Sequence, residues 1–371
     1  MTCMTARTYS FAGRRARGDD VGSAALDARQ HPKERPVMVE GPNISETIER
    51  NIAMELVRVT EAAAMCAARH MGRGDKNLVD QEAVTAMRYV LGHVAMDGIV
   101  VIGEGEKDEA PMLFIGEHIG DGSVPLVDIA VDPIDGTTLC ARGLPGAISA
   151  VALSERGTMH CPHQFFYMDK IVTGPEARDY IDINAPVSMN LKAIAAAKGR
   201  KVHELTVVVL DRPRHEKLLT QIRSAGARVK LISDGDVAAA IEATLPDREV
   251  DVLMGVGGTP EAVLSAAAIR CLGGAIQCKA WPRDDRERKV AEEAGVDVDK
   301  VYRTEDLVSG NEIFFAATGV SSGVLLKGVR YFRGGAQTNS VAMRNKSGTI
   351  RWVDSWHNFQ RLDKLSDIDL H

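Results

Sequence analysis

The chain has 371 residues, 45% of them apolar, enough for one large domain or two joined lobes. Its formal net charge is −6 and its pI about 6.0, so no basic stripe suited to nucleic acid is expected. No apolar run approaches the roughly 18 residues of a membrane helix, so no membrane partner is expected either. Cys3, Cys66, Cys140, Cys161, Cys271 and Cys278 form no C-x-x-C pair and read as reduced thiols of a cytosolic protein.

Residues 1 to 44 are rich in Arg, Gly, Ala and Asp without apolar periodicity, the pattern of a disordered tail. Arg14-Arg15-Ala16-Arg17 meets Asp19-Asp20 instead of an apolar stretch, so it does not read as a targeting signal. From Asn43 or Ser45 a long helix is expected, because Ile48, Ile52, Leu56, Val59, Ala63 and Cys66 fall on one face. Gly72 stops it, and Gly72-Arg73-Gly74-Asp75-Lys76-Asn77 follows as a charged loop. Asp80 precedes a second helical pattern through Val84, Met87, Val90, Leu91 and Val94. It reads equally as that helix's N-cap or as a carboxylate aimed at a site.

Ile99-Val100-Val101-Ile102 reads as a buried strand running into Gly103-Glu104-Gly105-Glu106. A carboxylate between glycines can approach an ion or a phosphate closely. The loop Lys107-Asp108-Glu109-Ala110-Pro111 follows. Val127, Ile129 and Val131 then alternate as a second strand, which breaks at Asp132-Pro133. The residue before proline is pushed out of the helical region, and proline donates no backbone hydrogen bond. The strand is expected to end at Asp132, with a tight turn bringing Asp135 and Thr137 beside it. Two carboxylates at one strand end repel unless a proton or a cation lies between them. Oxygen ligands of this kind suit a hard divalent ion.

Further along, a strand is expected around 148–153, a turn at Arg156-Gly157, and a half-buried aromatic at Tyr167. The second half alternates strands (205–210, 229–232, 252–254) with helices (215–224, 237–244, 261–272), the rhythm of a largely parallel sheet. Ligands sit beyond the carboxyl ends of such strands. Arg212, Arg214, Asp234, Asp236 and the run from Gly257 to Glu261 all fall there. The last part reads as strands at 313–317, 323–331 and 349–353. The expected organisation is therefore a tail at 1–44, a lobe at 45–200 carrying D-P-I-D-G-T, and an α/β lobe at 201–371, the two lobes packed around a shared cleft.

Glu104 in G-E-G-E and D-P-I-D-G-T at 132–137 resemble the lithium-sensitive sugar-phosphate phosphatase superfamily. With Gly72–Asn77, Glu109–Leu113, Arg212-Pro213-Arg214-His215, Asp234-Gly235-Asp236 and Gly257-Gly258-Thr259-Pro260-Glu261, the chain resembles class II fructose-1,6-bisphosphatases of actinobacterial type from about Asn51 to Asp369. The resemblance implies an αβαβα layered sandwich and a homo-oligomer, dimer or tetramer, inhibited by Li⁺. It implies fructose 1,6-bisphosphate as substrate. An alternative is another sugar bisphosphatase, such as one for sedoheptulose 1,7-bisphosphate, or a non-catalytic sugar-phosphate-binding paralogue.

Asp80, Glu104, Asp132, Asp135 and Glu261 would hold Mg²⁺ or Mn²⁺, since oxygen donors suit these ions better than zinc. The Ile134 carbonyl is a further candidate ligand. Thr137 would orient the attacking water or touch the scissile phosphate, paired with Asp80. The N–H groups of Gly136 and Thr137 are candidates for phosphate oxygens. Lys76 and Asp108 either assist or are solvated loop residues. Arg212-Pro213-Arg214 offers two guanidinium forks to a far phosphate. Asp234 and Asp236, around Gly235, offer acceptors to sugar hydroxyls, and the resemblance assigns Tyr167 to substrate contact. Gly257-Gly258 frees the backbone for close approach, and Pro260 fits the first turn of the helix that presents Glu261. His93, His160, His163 and His215 lack metal spacing and read as structural. Gln81, Gly146 and His70 depart from the family pattern, where glycine, asparagine and an aromatic residue are usual.

Overall fold

The computed structural model describes residues 52–362 apart from 106–111, 247, 294 and 296. The tail, the start of the first helix and the loop holding Asp108 lie outside the described residues.

The chain enters through α1 (Ala53–Ala68) and α2 (Lys76–Leu91). α1 is alanine-rich, which favours the helix, and it is buried almost all round, so packing holds it. Asp75, not Asp80, caps α2: its carboxylate accepts the Leu78 N–H at 3.0 Å. Asp80 therefore lies inside the helix, its side chain released from capping.

Four strands follow, β1 (Asp97–Ile102), β2 (His118–Ile119), β3 (Leu126–Asp135) and β4 (Ile148–Glu155), with a short helix α3 (Thr137–Ala141) between the last two. Next come β5 (Tyr167–Thr173), α4 (Val187–Ala197), β6 (Thr206–Leu210), α5 (Glu216–Ser224), β7 (Arg228–Ile232), α6 (Asp236–Thr244), β8 (Val252–Gly258), α7 (Thr259–Leu272), β9 (Ala275–Ala280) and β10 (Val301–Arg303). The chain closes with β11 (Phe314–Gly319), β12 (Arg330–Phe332), β13 (Gly335–Arg344) and β14 (Thr349–Asn358).

Among the described residues these strands make two sheets. One has the order β12-β13-β11-β4-β3-β1-β2, with β14 on β13; the other runs β10-β9-β5-β8-β6-β7. The chain thus leaves the first sheet after β4 and returns to it at β11, whereas the lobes read from the sequence meet at residue 200. α1 and α2 cover one face of the first sheet. α6 and α7 fill the space between the sheets, in a core that includes Ile148, Val237, Ile269 and Phe315. α4 and α5 cover the outer face of the second sheet through Leu191, Ile194, Leu219 and Ile222. The fold is an α/β layered sandwich, helix–sheet–helix–sheet–helix.

Two expectations fail. The second sheet is not largely parallel: only β6–β7 and β6–β8 run parallel, while β5–β8, β5–β9 and β9–β10 are antiparallel. Apolar alternation reports that a strand exists, not which neighbour it takes or in which direction. Within 323–331, only Arg330 and Tyr331 are in a strand, and β13 takes the long pairing instead. No described helix is long and apolar enough to cross a membrane.

Candidate active site

The D-P-I-D-G-T stretch does not end its strand at Asp132. β3 continues to Asp135, and its register against β4 shifts: Asp132 faces Ala150, but Asp135 faces Ile148. Three residues of β3 oppose two of β4, one extra residue, at the position where Pro133 has no N–H to donate. In a regular strand, residues three apart point to opposite faces. The extra residue reverses that parity, so both carboxylates share the face of Ala150 and Ile148, toward the space between the sheets.

β1 lies parallel to β3 and delivers Glu104 just past its end, with the Glu104 N–H bonded to the Leu113 carbonyl at 3.0 Å. α7 presents Glu261 in its first turn, with Pro260 just before it. Glu104, Asp132, Pro260 and Glu261 line one cavity of about 200 Å³. Asp80 reaches the same region, since its charge acts on both Glu104 and Asp132.

The electrostatics are those of crowded, dehydrated carboxylates. Burial pushes Glu104 up to about 7, helped by the charges of Asp80 and Glu261. Burial, then Asp135, Glu261, Glu104 and Asp80 raise Asp132 well above the ordinary range. Asp135 is raised by burial and by Asp236, while the Ala238 N–H at 3.1 Å pulls it the other way. Burial and Asp236 raise Glu261, and Lys170 opposes them. One carboxylate oxygen of Glu261, Oε2, is buried without a hydrogen-bond partner. An orphaned buried carboxylate oxygen among oxygen-only donors fits a hard divalent cation. Among the described residues no three Asp, Glu, His or Cys side chains already stand in the geometry of a closed ligand set. The carboxylates surround a cavity rather than a point.

Thr137 opens α3, and its hydroxyl donates to the Ile134 carbonyl at 3.1 Å rather than to Asp80. That carbonyl already accepts one bond. Lys76 is the exposed first residue of α2. Asp234 is half-buried, and Gly235, at φ +82°, turns the chain into α6. Asp236 then begins α6 and forms a buried ion pair with Lys170 of β5, 2.8 Å apart. The Ala238 N–H that holds Asp135 comes from the same helix end, so α6 binds a carboxylate of the other sheet.

β8 ends in Gly257-Gly258 for a steric reason. A Cβ on Gly257 would collide with the Asp236 carboxylate and press on the Lys170 amine, and one on Gly258 would overlap the Glu261 carboxylate. Pro213 starts the short turn Pro213–His215, which sets Arg214 with its guanidinium 5.0 Å from the centre of the Tyr167 ring. Arg214 also donates to the Val256 carbonyl at 2.8 Å, and Arg212 donates to the carbonyl of Asp211. Trp281 meets Tyr167 edge-on, ring centres 6.3 Å apart.

Sequence reasoning missed Lys170 and Trp281. Lys170 carried one weak signal, a lysine between Asp169 and the apolar pair Ile171-Val172 in a strand.

A basin of unpaired carboxylates beside an arginine turn, on a layered α/β frame, is the arrangement of a phosphatase. The family model for bacterial fructose-1,6-bisphosphatases, glpX-encoded, matches residues 50–357, and the chain belongs to that family. It is 44% identical over 344 residues to a D-fructose 1,6-bisphosphatase class 2/sedoheptulose 1,7-bisphosphatase of Synechococcus elongatus, covering 86% of this chain and 99% of the relative. It is 45% identical over 346 residues to the protein of the same name from Thermosynechococcus vestitus, with the same shares covered.

Proposed function

We propose that the chain hydrolyses fructose 1,6-bisphosphate to fructose 6-phosphate and phosphate with Mg²⁺ or Mn²⁺, as a gluconeogenic step in the cytosol, and that it works as a homo-oligomer, dimer or tetramer. The observation that supports this best is the cavity that Glu104, Asp132 and Glu261 line together, with the Glu261 Oε2 buried there without a hydrogen-bond partner. Asp80, Glu104, Asp132, Asp135 and Glu261 would hold the cation. When bound, it supplies positive charge to the phosphoryl oxygens and acidifies the attacking water.

The chain's own residues do the rest. Thr137 donates its hydroxyl hydrogen bond to the Ile134 carbonyl, which leaves its oxygen lone pairs to accept a hydrogen bond from water. Asp80, whose proton affinity burial has raised, can take a proton from that water. Asp135, Gly136, Thr137 and Gly258 lie where the scissile phosphate and sugar would sit. Arg212, Pro213 and Arg214 bind the far phosphate, and Tyr167 forms the wall beside it. Asp234, Gly235 and Asp236 receive the sugar, with Lys170 holding one oxygen of Asp236 in place. Lys76 would assist from the start of α2, and Asp108, outside the described residues, is the other candidate to assist.

Phosphate release from fructose 1,6-bisphosphate, measured with Mg²⁺, with Mn²⁺ and without metal, tests the proposal. Release that needs metal and disappears in Asp132→Asn is the expected result. No release with either metal from folded protein would sink it. The relatives' names also carry sedoheptulose 1,7-bisphosphate, and the same assay with that sugar shows whether the arginine turn accepts a seven-carbon substrate.

A further inference from the structure

His215 lies next to the arginine turn and is 2% exposed. Both ring nitrogens are engaged. Nδ1 lies 2.7 Å from the Leu210 carbonyl, and Nε2 lies 2.7 Å from the backbone N–H of Val256. A carbonyl can only accept and an amide can only donate, so the ring is neutral, with its proton on Nδ1.

The reason for this bridge is a gap in the sheet. β6 pairs with β8 only at Val207–Val252 and Val208–Leu253, so the edge of β8 beyond Leu253 has lost that neighbour. β5 continues along the opposite edge as far as Gly258. At Val256 two side chains replace the missing strand: His215 takes the N–H, and Arg214 donates to the C=O. The ring lies so close that a Cβ on Gly255, where φ is +124°, would press on it. Three residues farther along the chain is Gly258, and Glu261 follows one turn into α7.

Resting on the reading of Arg212 and Arg214 as the far-phosphate clamp, we propose that His215 is a positioning residue for substrate binding. Its neutral ring fastens the arginine turn to β8 and so fixes the clamp relative to the acidic basin. The charged groups acting on the ring are Arg214 and Arg212 of its own turn; β6 and β8 present backbone to it. Burial and these two arginines hold its proton affinity below the ordinary histidine value. The bridge is therefore complete above the ordinary histidine range and is lost as pH falls through the ring's lowered value. There a second N–H faces that of Val256.

The test is phosphate release from fructose 1,6-bisphosphate at saturating Mg²⁺, from about pH 8 down to about pH 5.5. It compares wild type, His215→Ala, His215→Gln and Arg214→Ala. His215→Ala is expected to raise KM about tenfold with kcat within about twofold, the scale of one lost buried hydrogen bond. His215→Gln can accept the Val256 N–H and does not titrate. It should keep a KM near wild type at high pH and lack the additional acid rise shown by wild type. Substrate ionisation is common to both and cancels in the ratio. A His215→Ala defect in kcat alone, or a His215→Gln KM at high pH raised as far as that of His215→Ala, overturns the inference. If His215→Ala does not fold, the wild type to His215→Gln ratio decides. Arg214→Ala separates the two levels: if it leaves KM unchanged, the clamp reading itself falls; if it raises KM and the His215 variants do not, only the role of His215 falls.

Discussion

The acidic basin and the arginine turn stand side by side, and their charges are satisfied in opposite ways. In the basin, Asp132 is surrounded by Asp135, Glu261, Glu104 and Asp80, and Glu261 keeps an orphaned oxygen. At the turn, Arg214 rests on Tyr167 and donates to Val256, while His215 uses both ring nitrogens on backbone. The basin is left electrostatically incomplete, at a cost to the fold, which is the condition for binding a cation. The turn is fastened to β8 and Tyr167 through Arg214 and His215, with the Nε of Arg214 left buried without a hydrogen-bond partner. Lys170 is a buried cation on the acidic side, paired with Asp236 and acting on Glu261.

The sharpest way to break the comparison is Glu261→Gln. Removing one basin charge should lower the phosphate-release rate by about 10³-fold. The same change should raise the melting temperature of the metal-free protein, because one of the mutually repelling carboxylates becomes neutral. Calorimetry without metal checks the second half, and a fall in melting temperature would show that the basin carboxylates are not in tension.

Lys170→Met should do the reverse to stability. It leaves Asp236 buried without its partner, and loss of one member of a buried pair costs about 3–5 kcal/mol. Urea unfolding measures this. Gly257→Ala forces the Asp236 carboxylate aside. A shift of about 1 Å there should cost activity about 10²-fold and, because it disturbs the buried pair with Lys170, lower the melting temperature less than Lys170→Met does.

The smallest effect is on pH. The fold raises the Glu104 carboxyl from 4.5 to about 7, so folding favours its protonated form. That contribution is complete below the ordinary value and lost as pH rises through about 7. Metal-free protein should therefore melt lower at alkaline than at mildly acid pH, by a few degrees, on the order of 5 °C. Glu104→Gln should flatten that slope, and Mg²⁺ should cancel it. Identical slopes for wild type and Glu104→Gln would remove Glu104 from the basin.

Much of this site was legible because its residues sit at local breaks in pattern. Glu104 follows an apolar run between two glycines, Asp132 precedes a proline, and Glu261 follows Pro260 into a helix. The breaks at Glu104 and Glu261 mark the ends of elements, which carry unsatisfied backbone groups and free side chains, and the one at Asp132 marks the extra residue inside β3. Asp80 was read as a possible cap because a helix start can be any of several nearby polar residues, and only the hydrogen bond to Leu78 selects Asp75. His215 lacks metal spacing and reads as structural; its two hydrogen bonds to backbone groups of Leu210 and Val256 leave no mark in the residues beside it.

The sequence by itself determined many of the strands and helices and the glycine-flanked carboxylate Glu104, because each rests on contacts within a few residues, and it marked the Arg212-Pro213-Arg214 turn without its contacts to Tyr167 and Val256. Tertiary structure alone decided the mixed direction of the second sheet, the return of β11 to the first, and the side on which Asp132 and Asp135 both face. Those depend on which strand lies alongside which and on one extra residue in β3 relative to β4. A chain encodes such matters only through partners far away along it.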